Sequence, residues 1–229
     1  FLDNERPPKN YEPKFKHLDL QKEVHIIGLG PAGIFAALTA LEAGMKPIVF
    51  ERGKAVKERI KDIGQLNRKG LVNQNSNYCY GEGGAGTYSD GKLYTRSKKR
   101  GAVRQVLETF VYFGANEDIL VEAHPHIGTN KLPRIVSTMS DKIIEMGGEI
   151  HFNHQLTDFE IKNERIHSIT LNKEKRITVS NVILATGHSA RDIFELLHKR
   201  GVQLQAKPFA LGVRVEHSQE FIDKAQYHG

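Results

Sequence analysis

The chain has 229 residues, 39% hydrophobic and 26% charged, with 33 basic against 27 acidic residues for a formal charge of +6. That length supports one large domain or two small ones around a real core, and no run of about 18 apolar residues exists to cross a membrane. A single cysteine, Cys79, excludes an internal disulfide, and with no signal-peptide pattern it fits a cytoplasmic protein. The basic residues are scattered apart from Lys98-Lys99-Arg100. Neither a recognition-helix pattern nor interleaved aromatics accompany them, so a solvated basic surface is the better reading than a nucleic-acid interface. The chain opens on Phe1 and closes at Gly229 just after a helical-looking segment, and it reads as a piece of a longer protein.

Residues 1–22 are polar, carry Pro7, Pro8 and Pro13, and read as an extended arm or linker. Val24–Ile27 is a short apolar strand, Pro31–Ala43 a helix closed by Gly44, and Pro47–Phe50 the next strand, which makes a β–α–β unit. Residues 55–67 suit a charged helix. From Gly70 to Gly101 no period holds and glycine is dense, the mark of a long functional loop. Val103, Val106, Leu107, Phe110 and Val111 form one apolar helical stripe; Leu132, Ile135, Val136, Met139, Ile143 and Met146 form another, stopped by Gly147-Gly148. The period then changes to two. Glu149–Asn153, Leu156–Ile161, Arg165–Leu171 and Arg176–Val179 read as strands, with polar turns at Asn163 and Asn172. Asn181–Ala185 is a strand, apolar from Val182 on, ending in Thr186-Gly187. A helix near Arg191–Lys199, a strand near Leu211–Val215 and a last helix complete the pass.

Gly28-Leu-Gly30-Pro31-Ala32-Gly33 falls between a strand and a helix, where a dinucleotide-binding turn has to lie. Gly28 permits the tight turn, Gly30 lets the backbone approach a pyrophosphate, and Gly33 lets helix and strand pack closely. The helix N-terminus then offers free N–H groups and partial positive charge to phosphates. Glu51 ends the second strand, where a carboxylate accepts hydrogen bonds from adenosine ribose hydroxyls. Arg52 follows it and suits the adenosine phosphate end. Together these features point to an ADP-containing cofactor.

The second strand runs into a glycine-rich loop, helices and a run of strands rather than further strand–helix units. Then comes the strand ending Ala185-Thr186-Gly187. That order resembles FAD-binding domains of the glutathione-reductase type, in which the β–α–β is interrupted, a three-stranded meander follows, and an Ala-Thr-Gly strand end passes near the cofactor. The resemblance implies FAD rather than NAD. Three further stretches, Gly81-Glu-Gly-Gly-Ala-Gly-Thr-Tyr-Ser-Asp-Gly-Lys-Leu93, His124-Pro-His-Ile-Gly-Thr129 and Ala185-Thr-Gly-His-Ser-Ala-Arg-Asp192, resemble a bacterial family of uncharacterised FAD-dependent, NAD-utilising dehydrogenases. Lys207-Pro-Phe-Ala-Leu-Gly-Val-Arg214 extends the resemblance over nearly all of residues 24–229. Membership implies an FAD-dependent oxidoreductase whose substrate is unsettled. The glutathione-reductase type also ends in a late Gly-Asp segment that holds the ribityl chain; this sequence carries none, so an incomplete flavin site is expected.

Within the glycine loop, Gly83, Gly84, Ala85 and Gly86 are expected to line flavin or pyrophosphate with backbone N–H groups. Gly86-x-x-x-x-Gly91-Lys92 is not a P-loop, because Leu93 stands where Ser or Thr must bind magnesium. Lys92 suits either a charge on pyrophosphate or reduced flavin, or a solvated surface lysine. His124/His126 and His151/His154 lack the spacing and partners of a metal site, so no metal is expected. His188 and His126 are the acid–base candidates near a flavin, since a neutral imidazole moves protons near pH 7; capping or loop hydrogen bonding is the competing role of each. Cys79, with no partner cysteine, reads as a buried or half-buried thiol.

The expected architecture is α/β, a Rossmann-like FAD-binding domain with an interrupted β–α–β and an antiparallel meander. It divides into an arm over 1–22, the cofactor domain over 23–187 with its loop at 70–101, and the start of a substrate domain over 188–229. The expected chemistry is hydride or electron transfer through flavin N5 with a small-molecule substrate, and NAD(P)H as an outside reductant. An RNA-modifying flavoprotein and a non-catalytic flavin sensor are the alternatives.

Overall fold

The computed structural model describes residues 12–95, 101–128, 130–209, 211–213 and 215–227. The basic run Lys98–Arg100, Thr129, Ala210 and Arg214 therefore lie outside the described residues. The chain divides into two compact units, Phe1–Leu196 and Leu197–Gly229. Among the described residues no helix is long and apolar enough to cross a membrane.

The first unit opens with β1 (Asp19–Ile27), α1 (Pro31–Glu42) and β2 (Met45–Phe50), then α2 (Val56–Lys69). After the loop come α3 (Val103–Tyr112), α4 (Leu132–Glu145), β3 (Glu149–His151), β4 (Leu156–Lys162), β5 (Arg165–Leu171), β6 (Lys175–Thr178) and β7 (Val182–Leu184); the fifth helix, α5 (Arg191–Lys199), runs across the division. β1 and β2 pair in parallel, with His25 opposite Ile48, Ile26 opposite Val49 and Ile27 opposite Phe50. β3 adds in parallel beyond β2 and β7 beyond β1, giving the order β3-β2-β1-β7. Near-continuous apolar runs such as Val24–Ile27 are what a parallel sheet covered on its faces requires. Helix α1 supplies that cover with Ile34, Ala37, Leu38 and Leu41, and α4 adds Ile135, Val136, Met139 and Ile143 to the same core.

The expected run of alternating strands splits between two sheets. Its first member, β3, joins the parallel sheet, whereas β4, β5 and β6 form a separate antiparallel meander. The meander turns carry consecutive positive φ angles, 50° and 61° at Asn163-Glu164 and 51° and 65° at Asn172-Lys173. That left-handed pair is the tight-hairpin geometry that asparagine tolerates. The architecture is thus α/β and Rossmann-like, with an antiparallel meander.

Two expectations are corrected. The arm reading fails at its C-terminal end: β1 begins at Asp19, the Lys16 and Asp19 amides donate to the carbonyls of Leu41 (3.3 Å) and Gly44 (2.9 Å), and Phe15 and Leu18 pack on the core. Residues 1–11 of that arm lie outside the described residues. In the second unit the strand expected at Leu211–Val215 does not form among the described residues; Leu211, Val213 and Val215 are 84%, 85% and 67% exposed. An alternating pattern makes a strand only against a partner ladder, and none of the described strands pairs there. This unit instead carries the short helix α6 (Gln219–Ile222), capped by the Ser218 hydroxyl accepting from the Phe221 amide, and a π-helical turn at Asp223–Tyr227.

Close packing of α1 on β1 depends on Gly33, where a Cβ would come within 1.9 Å of the Gly28 carbonyl oxygen. Gly33→Ala is expected to lower the unfolding free energy by about 2 kcal/mol or more through backbone overpacking. Gly64→Ala, in the middle of α2 and facing only the flexible end of Arg68, should raise it by about 0.5–1 kcal/mol. Urea denaturation of the two variants checks the contrast.

Candidate functional site

A cavity of about 440 Å³ opens beyond the carboxyl ends of β1, β2 and β7, with Ile27, Phe50 and Leu184 in its wall. This is where open parallel sheets place ligands. Three stretches far apart in sequence meet around it: the turn at Gly28, Gly30, Pro31 and Ala32; the loop residues Gly84, Ala85 and Gly86; and the strand end Ala185, Thr186 and Gly187. Glu51, Arg52 and His188 line it as well. Four expected residues do not. Gly33 sits behind the turn as a packing glycine. Gly83 and Lys92 line a second cavity, and His126 is exposed, forming an isolated antiparallel bridge with Lys92.

The turn is shaped by close backbone approaches. Gly28, at φ +103°, leaves no room for a Cβ, which would stand 2.5 Å from the Ala185 carbonyl oxygen. Its amide donates to the Phe50 carbonyl at 2.8 Å, and the Ala185 amide donates to the Ile27 carbonyl at 2.8 Å, so both neighbouring strands grip the turn. Helix α1 starts from Gly30 with no side-chain cap, no acidic residue in its first turn, and Pro31 at its first position. The Ala32 and Gly33 amides have no intrahelical partner, which makes this end a ready receptor for anions. Across the mouth stands Gly84, at φ +69°; a Cβ there would lie 3.1 Å from the Gly30 Cα and 3.2 Å from the Pro31 Cδ. Two bare backbones thus face each other, leaving a cradle that any side chain would fill.

Buried charges build the walls. Glu51 is 4% exposed, and its carboxylate accepts from three backbone amides: Leu29 (2.8 Å), Gly53 (2.8 Å) and Gly81 (2.9 Å). An ionised carboxylate offers about four acceptor sites, so these three amides leave one unfilled, and Glu51 lines the cavity. Arg59 of α2 is fully buried and uses all its donors on the glycine loop. Nε donates to the Asn77 carbonyl (2.9 Å), one terminal nitrogen to Glu82 O (2.7 Å) and Thr87 Oγ1 (3.1 Å), and the other to Tyr78 O (3.1 Å) and Gly84 O (2.7 Å). Burial lowers its pKa, yet a guanidinium stays protonated. The same loop is tied from its other side by Glu82, whose carboxylate accepts the Val56 amide at 2.7 Å.

Residues in and behind this wall also make contacts that the sequence did not show. Asp192 accepts both contacts of an Arg52 terminal nitrogen at 3.1 Å and one from Gln155 Nε2 at 2.9 Å. Arg52 also donates to Asn75 Oδ1 at 2.9 Å and lies 4.1 Å over the Tyr80 ring. Its charge is therefore already balanced by Asp192. The Tyr80 hydroxyl donates to the Ser189 carbonyl at 2.7 Å, and burial pushes its pKa up. Cys79 is exposed and lines the cavity, which corrects the buried-thiol expectation. The reason is local: Arg59 draws the carbonyls of Asn77 and Tyr78 inward, and the Cys79 amide turns onto Asn77 Oδ1 at 2.8 Å. Among the described residues no three His, Cys, Asp or Glu side chains cluster as metal ligands.

No family model matches the chain. It is 44% identical over 202 residues to an uncharacterised protein of Clostridium beijerinckii, across 88% of this chain and 38% of that relative's length. Among solved structures it is similar to Thermovibrio ammonificans THI4, at 17% identity and a TM-score of 0.49 over 80% of this chain and 64% of that one. A CtdE complex with FAD has 18% identity and a TM-score of 0.40, covering 75% and 40% of the two chains. FAD-bound OTEMO has 21% identity and a TM-score of 0.42, covering 75% and 26%.

The Arg59 clamp generates a direct test. Arg59→Met leaves buried carbonyls without donors and is expected to cost about 3 kcal/mol or more of unfolding free energy. Arg59→Lys, with three donors, recovers part of that loss. Limited proteolysis should meanwhile shift its cleavage into residues 77–87, read by mass spectrometry alongside the denaturation midpoint.

Proposed function

We propose that this chain is the dinucleotide-binding part of an FAD-dependent oxidoreductase that acts on a small-molecule substrate, with the ADP half of FAD in the cavity beyond β1, β2 and β7. The observation that carries the reading is the facing pair Gly30 and Gly84 at the amide end of α1, beside Glu51. Bare backbone, free helix amides and a spare carboxylate lone pair fit, in turn, a pyrophosphate and a ribose hydroxyl. The domain reading, with residues 23–187 holding cofactor and 188–229 beginning a substrate domain, belongs to this proposal, as do a cytoplasmic setting and NAD(P)H as outside reductant.

In this reading Gly28, Gly30, Ala32 and the 84–86 segment orient the diphosphate through backbone groups, with no cationic side chain in direct contact. Glu51 fixes the adenosine ribose. Arg52 acts indirectly: paired with Asp192 and stacked on Tyr80, it stiffens the wall on the adenosine side. His188 belongs to that wall, and its ring lies 3.4 Å from the Ser189 hydroxyl. The bound flavin supplies the hydride or electron chemistry, and the protein supplies orientation and electrostatics.

The test is the visible spectrum of the purified full-length protein, followed by identification of the nucleotide released on denaturation. The expected result is an oxidised-flavin spectrum with FAD released, and a Gly84→Val variant that folds but has lost its colour. Released FMN overturns the adenosine assignment of Glu51, and a colourless protein that refuses added FAD overturns the flavin. Full occupancy in Gly84→Val removes the cradle from the argument.

A further inference from the structure

A second cavity, about 420 Å³, lies on the other side of the glycine loop and shares Pro31, Ala32 and Gly86 with the first. Its walls come from three helices: Phe35 of α1, Val106 and Phe110 of α3, and Val136 and Met139 of α4. Phe35 and Phe110 meet edge to face, with ring centroids 5.6 Å apart. Both size and lining fall in the range of small-molecule sites, which run from about 300 to 1,000 Å³.

Away from the α1 N-terminus that it shares with the first cavity, the backbone amides of its loop wall are largely engaged. The Gly83 amide donates to the Leu29 carbonyl (2.8 Å), the Ser89 amide to Gly86 (3.0 Å), and the Leu93 amide to Pro125 (2.8 Å), while the Gly91 amide donates to the Ser89 hydroxyl oxygen (3.1 Å). Lys92, the cation among the lining residues, is paired with Asp90 at 2.5 Å and its side chain is 77% exposed. A charged occupant would give up its hydration without gaining a counter-ion, and one rich in amide or carbonyl groups would find few partners. An apolar occupant meets neither cost. A flavin's pyrimidine edge fits these walls poorly for the same reason.

We infer that the second cavity is a binding site for an uncharged apolar organic molecule, the substrate compartment of the oxidoreductase, placed against the nucleotide site through the shared α1 N-terminus. Its identification as a substrate compartment rests on the cofactor reading above; its apolar selectivity rests on the walls alone.

The test uses full-length, flavin-loaded protein titrated with toluene and, separately, with benzoate, followed by saturation-transfer NMR. Toluene should bind saturably and benzoate at least about tenfold more weakly. Val106 is 38% exposed at the rim, so Val106→Trp can fill the cavity without entering the core, and Val106→Phe fills it in part. Toluene affinity should fall by about tenfold or more in the first and by less in the second, with the flavin spectrum unchanged in both. Equal binding of benzoate overturns the apolar assignment, and undiminished toluene binding in both variants overturns the location. Flavin release during the toluene titration means that the cavity belongs to the cofactor. If the protein carries no flavin at all, the cofactor reading falls, and the toluene titration still decides the apolar site.

Discussion

Backbone dipoles buried away from water have to be paired, and a segment without helix or ladder has no partner of its own for them. The glycine-rich segment before α3 faces that problem beside the cavity, and two buried ions solve it. The Glu51 carboxylate gathers amides from the fingerprint turn, the end of β2 and Gly81. The Arg59 guanidinium gathers carbonyls from the same loop on either side of Gly81. Each ion is solvated chiefly by peptide groups rather than by the other. Such an arrangement tolerates no replacement by an apolar residue, because the peptide groups would remain behind.

This explains why a glycine-dense loop can be a firm wall rather than a flap. Glycine permits the approach between Gly30 and Gly84 but contributes no contacts to hold it. The holding is done from behind, by Arg59 on the loop and by the Phe50 carbonyl of β2 on Gly28. Side chains that would crowd a ligand are absent at the cradle, and the side chains that define its shape stand one layer back.

Much of this was legible in the sequence. The places of the Gly28–Gly33 turn and of Glu51 at the strand ends could be read because they depend on backbone geometry and on nearby residues, and the two apolar stripes of α3 and α4 because period 3.6 is a local signal. Arg59 was not legible: in a charged helix such as Val56–Lys69 an arginine looks solvated until the loop is seen folded over it. The Arg52–Asp192 pair spans 140 positions, and no periodicity carries across that distance. Leu211–Val215 failed in the opposite way, since alternation states what a strand would look like and not whether another strand is there to receive it. Lys92 and His126 stand in motifs that read as functional, yet they pair with each other away from the cavity beyond β1, β2 and β7.

The Arg52–Asp192 pair also bears on how the protein comes into being. The β1–α1–β2 unit closes through contacts near in sequence, which form early and fast. The cavity wall is not complete until β7 has docked on β1, bringing Ala185–Gly187 to the turn, and Asp192 behind it has reached Arg52. On a ribosome, where the N-terminal part emerges first, the β1–α1–β2 unit is therefore complete well before the pocket is. On the proposed reading, a nucleotide that needs both walls is captured only by a chain already made beyond residue 192, which makes cofactor loading a late event that marks completion of this unit.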